Sequence, residues 1–318
     1  MKALVAALIF SFFTLPALAG EARTAITFAT DWKAQAEHGG FYQALAQGYY
    51  RDAGLDVTIR PGGPQVDLPR LMAAGALDVV MASNGFQPYN LAAAGVPVKV
   101  LMAAFQKDPQ VLMVHPDVAA AEIADLKGRP IFISDSAIST FWPWLKARFA
   151  FEDRQIRKYG YSLGPWLANP GSVQEGYLSS EPYSATIAGI EPKVFLFADA
   201  GYPGYAAMVM VRDDYLKGNE AAMRAFVQAS IRGWQDYIHG DPAAGNALIL
   251  KDNREMTPEL LTYAGKAMRE RGIVGEGDMV GTMTAERWVQ FYSEMSELGI
   301  LPQGLDPASV YRLDFARP

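Results

Sequence analysis

The sequence predicts an α/β protein of two lobes joined by two crossings of the chain, with helices gathered at the carboxy-terminal end. Three observations carry this. Strand-like and helix-like runs alternate from Thr24 to Ala103, which is the pattern of a mainly parallel sheet with helices on both faces. A fresh alternating unit opens at Leu126-Lys127-Gly128-Arg129-Pro130. From Glu220 onward the apolar spacing is helical only, with no further strand to pair.

The elements follow in order. Ile26 to Ala29 reads as a strand, Phe41 to Ala53 as a helix, and Leu55 to Arg60 as the next strand, entered after Gly54. This is a right-handed strand–helix–strand crossover. Val66 to Ala74 reads as a helix, Leu77 to Ala82 as a strand, Gln87 to Ala94 as a helix and Val98 to Ala103 as a strand. Gln110 to Val114 is rich in β-formers and carries the chain into a second sheet. There Ile131 to Ile133 is a strand, a weaker strand and helix follow between Tyr161 and Leu178, and Lys193 to Ala198 is a strand. The turn-rich Gly201-Tyr202-Pro203-Gly204-Tyr205 leads to a return strand, Ala207 to Val211. Helices are expected over Glu220–His239, Pro242–Leu250, Pro258–Glu270 and Thr284–Leu298. The divisions that result are 1–19 as a leader, 20–106 as the first part of lobe 1, 107–204 as lobe 2, and 205–318 as the return strand and terminal helices. No fixed-period repeat interrupts this pattern.

The leader assignment rests on Lys2, an apolar run from Ala3 to Leu15, a break at Pro16 and the small-residue site Ala17-Leu18-Ala19. That is the grammar of a secretory signal peptide. The apolar run falls short of the roughly 20 residues a membrane span needs. Export means an oxidising compartment, yet the 318 residues include no cysteine, so stability must come from buried cores rather than disulfides. With half its residues apolar, a chain of this length can build two cores. The lack of cysteine also excludes thiolate nucleophiles, thiolate zinc sites and iron–sulfur clusters. Its net charge of −6 with no basic block speaks against nucleic acid and anionic lipid as partners. The three histidines, His38, His115 and His239, are too scattered in sequence to suggest a metal centre, and His-Glu-x-x-His, nucleophile-elbow and phosphate-loop motifs are missing.

In a parallel sheet the ligand is expected at the carboxyl ends of the strands, where Asp31, Trp32, Ser83 and Asn84 fall. Trp32 and Asp31 together would offer an indole face and a carboxylate to a planar guest bearing an exocyclic amine; the alternative is that Trp32 packs the lobe and Asp31 caps a turn. His38 stands beside Gly39 and Gly40, which would let backbone approach a ligand, or it caps the helix that follows. Ser134-Asp135-Ser136 and Ser139-Thr140 crowd a helix start, where free amides receive an anion or a cap. Asp135 already brings negative charge there, which points to a neutral or amine-bearing guest. Glu181, preceding Pro182, is expected to be extended and to hold its carboxylate outward. Tyr177 and Tyr183 flank it, and Phe86, Trp142, Trp144, Tyr202 and Tyr205 add aromatic surface, while Trp166, Trp234 and Trp288 read as packing.

The run Asp31-Trp32 through His38-Gly39-Gly40-Phe41-Tyr42 to Gly54-Leu55-Asp56-Val57, with Gly176-Tyr177-Leu178-Ser179-Ser180-Glu181-Pro182-Tyr183 further on, resembles the thiamine-precursor-binding and pyrimidine-synthase-like family, a branch of the periplasmic solute-binding proteins. The resemblance implies a two-lobe clamshell of the type II-like periplasmic-binding-protein kind. It also implies capture of a pyrimidine thiamine precursor of the formylaminopyrimidine or hydroxymethylpyrimidine type and delivery to an ABC-transporter permease at the membrane surface; a monomer with no cofactor and no metal is expected. In such proteins the tryptophan stacks on the pyrimidine, a histidine follows, and a Ser-Glu-Pro-like turn presents its carboxylate. The family's Asn-rich loop is replaced here by Lys33, Ala34 and Gln35. Ligands left open by the residues are riboflavin, an alkanesulfonate, taurine and nitrate. The enzymatic branch, which uses pyridoxal phosphate and iron, carries a cysteine-rich motif that this chain lacks.

Overall fold

The computed structural model describes residues 23–317. The signal peptide expected over 1–19 lies outside them. In chain order the elements are β1 (Thr24–Ala29), α1 (Gly39–Ala46), α2 (Tyr49–Asp52), β2 (Leu55–Arg60), α3 (Leu68–Ala73), β3 (Val79–Asn84), α4 (Phe86–Ala93), β4 (Val98–Phe105) and β5 (Gln110–Val114). They continue as β6 (Ile131–Ile133), α5 (Asp135–Ile138), α6 (Phe141–Phe149), β7 (Ile156–Lys158), α7 (Gly164–Leu167), β8 (Val173–Tyr177), α8 (Glu181–Ile187), β9 (Lys193–Leu196) and β10 (Ala206–Arg212). Four helices close the chain: α9 (Asp213–His239), α10 (Ala243–Asp252), α11 (Pro258–Glu270) and α12 (Ala285–Glu297).

Two five-stranded sheets form, ordered β2-β1-β3-β10-β4 and β7-β6-β8-β5-β9. Each has the same plan. β1, β2 and β3 run parallel, as do β6, β7 and β8, whereas β10 and β5 run antiparallel to both their neighbours. These two antiparallel strands are the ones the chain enters directly after each crossing. The first crossing lies between Phe105 and Gln110 and the second between Leu196 and Ala206.

The first sheet is covered on both faces, and the two-residue period of its strands divides it cleanly. Val79, Met81, Val209 and Val211 pack with Phe41, Phe226 and Trp234, while Val80, Ala82, Met208 and Met210 pack with Phe86, Trp288 and Phe291. Alternate side chains of one strand thus enter opposite cores. The terminal helices also tie the crossings. Arg287 of α12 donates to the carbonyls of Pro203 and Gly204 at 2.8 and 2.9 Å.

Several boundaries differ from expectation. The helix expected over Phe41–Ala53 is broken at Gly48, whose φ of 77° closes α1 before α2 begins. The helix expected from Glu220 starts at Asp213, with non-helical backbone at Asn219. β7 has no counterpart in the sequence pattern, because a three-residue edge strand of sequence Ile-Arg-Lys shows no apolar alternation. Between Tyr161 and Leu178 the short helix precedes the strand. No helix among the described residues is long and apolar enough to cross a membrane.

Candidate ligand-binding site

One cavity of about 810 Å³ opens between the two sheets. Its walls come from the carboxyl ends of the parallel strands and the amino-terminal starts of the antiparallel β5 and β10, where an open α/β sheet leaves its strand ends uncovered.

From the first sheet, the β1 end supplies Asp31, Trp32, Glu37 and His38. The Trp32 carbonyl receives the Thr30 hydroxyl and the Gly62 amide, each at 3.0 Å. Gly62 is required there, since a Cβ would stand 2.3 Å from the Thr30 carbonyl oxygen. His38 is fully buried and its Nε2 meets Asp31 Oδ1 at 3.0 Å. His38 holds the N-cap position of α1 but makes no capping hydrogen bond, so the helix-cap alternative does not describe its ring. Its Nδ1 is buried without a hydrogen-bonding partner among the described residues. The end of β3 gives Ser83, Asn84 and Phe86. Asn84 Oδ1 accepts from the Phe86 amide at 3.1 Å, and Phe86 rests edge-on against Phe291.

From the second sheet come Ser134, Ser136, Tyr159, Tyr161, Glu175, Tyr177 and Glu181. Glu181 is the first residue of α8, not an extended residue before a proline. Pro182 sits in the first helical turn, where its missing amide hydrogen costs nothing. The Glu181 carboxylate folds back, accepting from the Tyr177 amide at 2.7 Å and the Tyr159 hydroxyl at 3.0 Å. Gly176 makes room for it, as a Cβ would stand 2.7 Å from the Glu181 Cβ.

Nine of the expected residues, Asp31, Trp32, His38, Ser83, Asn84, Phe86, Ser136, Tyr177 and Glu181, are brought together on this one surface. Trp32 and Glu181 therefore look across a shared crevice. Three are not. Asp135 points to solvent and pairs with Lys158 at 3.1 Å, because the one-turn helix it opens carries only Ser136 and Ala137 inward. Tyr183 packs on Tyr263 of α11, with ring centroids 5.2 Å apart and tilted by 43°. Tyr202 is buried against Trp144 and Phe291, filling the junction behind the cavity. Gly39 and Gly40 also serve a different end. A Cβ at either would stand about 2 Å from the rings of Tyr237 and Trp234, so they let α1 press against α9 rather than admit a ligand.

The sequence reading missed Glu37, Glu175, Tyr159 and Tyr161. Ser179 donates its hydroxyl to Glu37 Oε1, a buried bond from the second sheet's loop to the first sheet's. Glu175 takes the Ser134 amide at 2.6 Å and the Ser134 hydroxyl at 2.9 Å. The helix start that could have received an anion is thus filled by the protein's own carboxyl. Burial pushes the Glu175 carboxyl up to about 7 and raises those of Glu37 and Glu181, since a charge removed from water is disfavoured. The only sequence signal for Glu175 was its place two residues before Tyr177 in a strand that faces the cleft with alternate side chains. Among the described residues no lysine or arginine lines the cavity, whereas five carboxyls do: Asp31, Glu37, Asp67, Glu175 and Glu181. No group of three or more metal-ligating side chains is arranged to hold an ion among the described residues.

The chain is 27% identical to the riboflavin-binding protein RibY of Chloroflexus aurantiacus, across 91% of this chain and 85% of that protein. It is 24% identical to the formylaminopyrimidine-binding protein of Halalkalibacterium halodurans, across 75% and 74% of the two chains. Its fold matches the periplasmic aliphatic sulphonate binding protein SsuA from Escherichia coli with a TM-score of 0.66 at 14% identity, covering 91% of this chain and 92% of SsuA. It also matches the desulfurization enzyme DSZB with a TM-score of 0.59 at 13% identity, covering 92% and 98%. The family model described as NMT1/THI5 like matches residues 35–244, about two thirds of the sequence and nearly all of both sheets; the chain belongs to the NMT1/THI5-like family.

Proposed function

We propose that this protein is an extracytoplasmic solute-binding protein of an ABC importer, and that it captures a small planar heteroaromatic nutrient rich in N–H donors. The observation that carries this is the lining of the cavity: five carboxyls, the indole of Trp32 and several tyrosines, with no lysine or arginine among the described residues. An oxyanion needs cationic or amide donors, so this lining disfavours nitrate, taurine and alkanesulfonates despite the shared fold with SsuA. A pyrimidine that bears an exocyclic amine suits it. Its amine donates to a carboxylate, and its ring nitrogen accepts from a carboxyl whose proton is retained by burial up to about pH 7, as at Glu175. The face of such a ring stacks on Trp32.

A pyrimidine thiamine precursor is therefore the leading guest, in line with the formylaminopyrimidine-binding relative. Riboflavin is the second reading. It is favoured by the size of the cavity, about 810 Å³ where ligand sites run from about 300 to 1,000 Å³, and by the riboflavin-binding relative. An enzymatic role finds less support, because the cysteine-rich motif of the synthase branch has no counterpart in a chain without cysteine.

The test is isothermal titration of the purified protein with formylaminopyrimidine, hydroxymethylpyrimidine, riboflavin and taurine. Binding of either pyrimidine, with none of taurine, is the expected result. Saturable heat with riboflavin alone would move the assignment to the second reading, and heat with taurine alone would overturn both.

A further inference from the structure

Tyr161 follows β7 in the second sheet and stands at the mouth of the cavity opposite Trp32, which follows β1 in the first. The ring centroids are 5.4 Å apart, tilted by 42°. The other side of Tyr161 rests on Tyr159, 5.3 Å away, and the Tyr159 hydroxyl donates to Glu181 at 3.0 Å. A continuous line of contacts therefore runs from a carboxylate of the cleft wall through two phenols to the indole of the opposite sheet.

Two further features single out Tyr161. The residue is 59% exposed, although every other aromatic at the cavity is buried or half-buried. Its backbone is left-handed, with φ of 59°, a conformation that is unfavourable for a bulky side chain and natural for glycine. A glycine is the neighbouring residue, Gly160, and it does not occupy that conformation. Strained backbone of this kind persists where the position of the side chain matters more than local comfort.

We propose that Tyr161 is the second aromatic face of the site: a flat guest seats between it and Trp32, one ring supplied by each half of the molecule. This rests on the reading of the cleft as a site for planar heteroaromatics. Admitting a guest requires the two rings to part from 5.4 Å to about 7 Å, twice the ~3.5 Å separation of stacked rings. A small hinge motion between the halves supplies such a displacement.

The experiment uses the full mature protein and the variants Tyr161→Gly and Tyr161→Phe, titrated with formylaminopyrimidine, hydroxymethylpyrimidine and riboflavin while tryptophan emission is followed. Of the six tryptophans, Trp142, Trp144, Trp166, Trp234 and Trp288 are buried, so acrylamide quenching reports mainly on Trp32. Expected results are greater quenching in Tyr161→Gly without any probe, and about tenfold weaker binding of whichever probe the wild type takes, equivalent to about 1.4 kcal/mol. The loss should lie in a faster off-rate. Tyr161→Phe should bind close to wild type, and Tyr161→Gly should keep or raise its thermal midpoint, because glycine relieves the backbone. Affinity and thermal midpoint falling together in Tyr161→Gly would mean a structural role and overturn the proposal. So would unchanged affinity with faster on- and off-rates, which would make the ring a lid only, and so would unchanged quenching. If the wild type binds none of the three probes, the reading of the cleft falls and the proposal with it; if it binds one and Tyr161→Gly binds that probe equally well, only the proposal falls.

Discussion

Trp32 and Glu181 illustrate two ways a side chain is set in place by its own neighbourhood. Trp32 is fixed by its main chain, whose carbonyl takes two hydrogen bonds and whose loop depends on the close approach of Gly62. Glu181 is fixed by its side chain, with one oxygen on the Tyr177 amide and the other on the Tyr159 hydroxyl. Truncating Trp32 to alanine should therefore leave the fold intact and remove the stacking contribution. That contribution is ~1 kcal/mol beyond the buried area, so affinity should weaken by at least about fivefold in titration calorimetry. Glu181→Gln should weaken binding of an amine-bearing pyrimidine several-fold, up to about tenfold, because an acceptor oxygen is replaced by an NH2 donor and a hydrogen bond is worth roughly 0.5–1.5 kcal/mol net. Wild-type affinity in both variants would remove these side chains from the ligand's surroundings. What sequence could not reveal at this scale is that the Glu181 carboxylate is already committed to two internal donors. The proline after it was legible, but its place in the first turn of α8 depends on how the helix packs on β8.

Among elements, the contact between α1 and α9 shows how glycines can be misread. Gly39 and Gly40 sit beside His38 in sequence and suggest a loop that approaches a ligand. In the fold they are the bottom of a groove for Tyr237 and Trp234, and Gly233 of α9 faces Gly40 in return. Gly40→Ala should accordingly destabilise the protein by about 1–3 kcal/mol, the usual cost of overpacking, seen as a lower urea midpoint. Gly265 in α11 is the contrasting case, since a Cβ there meets nothing within 4 Å. Gly265→Ala should stabilise by ~0.5–1 kcal/mol through helix propensity. Opposite signs at two helical glycines would establish that packing, not composition, sets their roles. Both variants leave the cavity untouched.

For the whole molecule, the crossings between the halves carry a proton-sensitive group. Asp108 lies in the first crossing, buried, with Oδ1 accepting from the Gln110 amide at 3.0 Å. Burial pushes its carboxyl up to about 7 from an ordinary value of 3.8, and the same cause brings Glu175 to about 7. Because the folded pKa is raised, the native state holds these protons through a range where the unfolded chain has released them. Their stabilisation is complete below about pH 4 and is lost as pH rises to about 7, at up to ~1.4 kcal/mol per pH unit for each group. The carboxyls held low by ion pairs, Asp153, Asp214 and Asp314, act only at more acidic pH. Thermal midpoints should therefore be higher at pH 5 than at pH 8, and Asp108→Asn should flatten that difference. An equal midpoint at the two pH values in the wild type would contradict the assignment.

The chain by itself determined the α/β class, the succession of nearly every strand along it and the strand ends at which side chains such as Asp31, Trp32, Ser83 and Asn84 gather. Apolar periodicity and turn residues are local signals, and a parallel sheet turns them into a rule about where side chains end up. Only the tertiary structure decided which carboxyls face the cavity, that Tyr183 and Tyr202 turn into other contacts, and that Tyr161 meets Trp32 across the mouth. Those facts depend on residues about 80 to 130 positions apart being pressed together in the fold, and on the burial that follows. Neither distance nor burial is written in any stretch of sequence short enough to show a period.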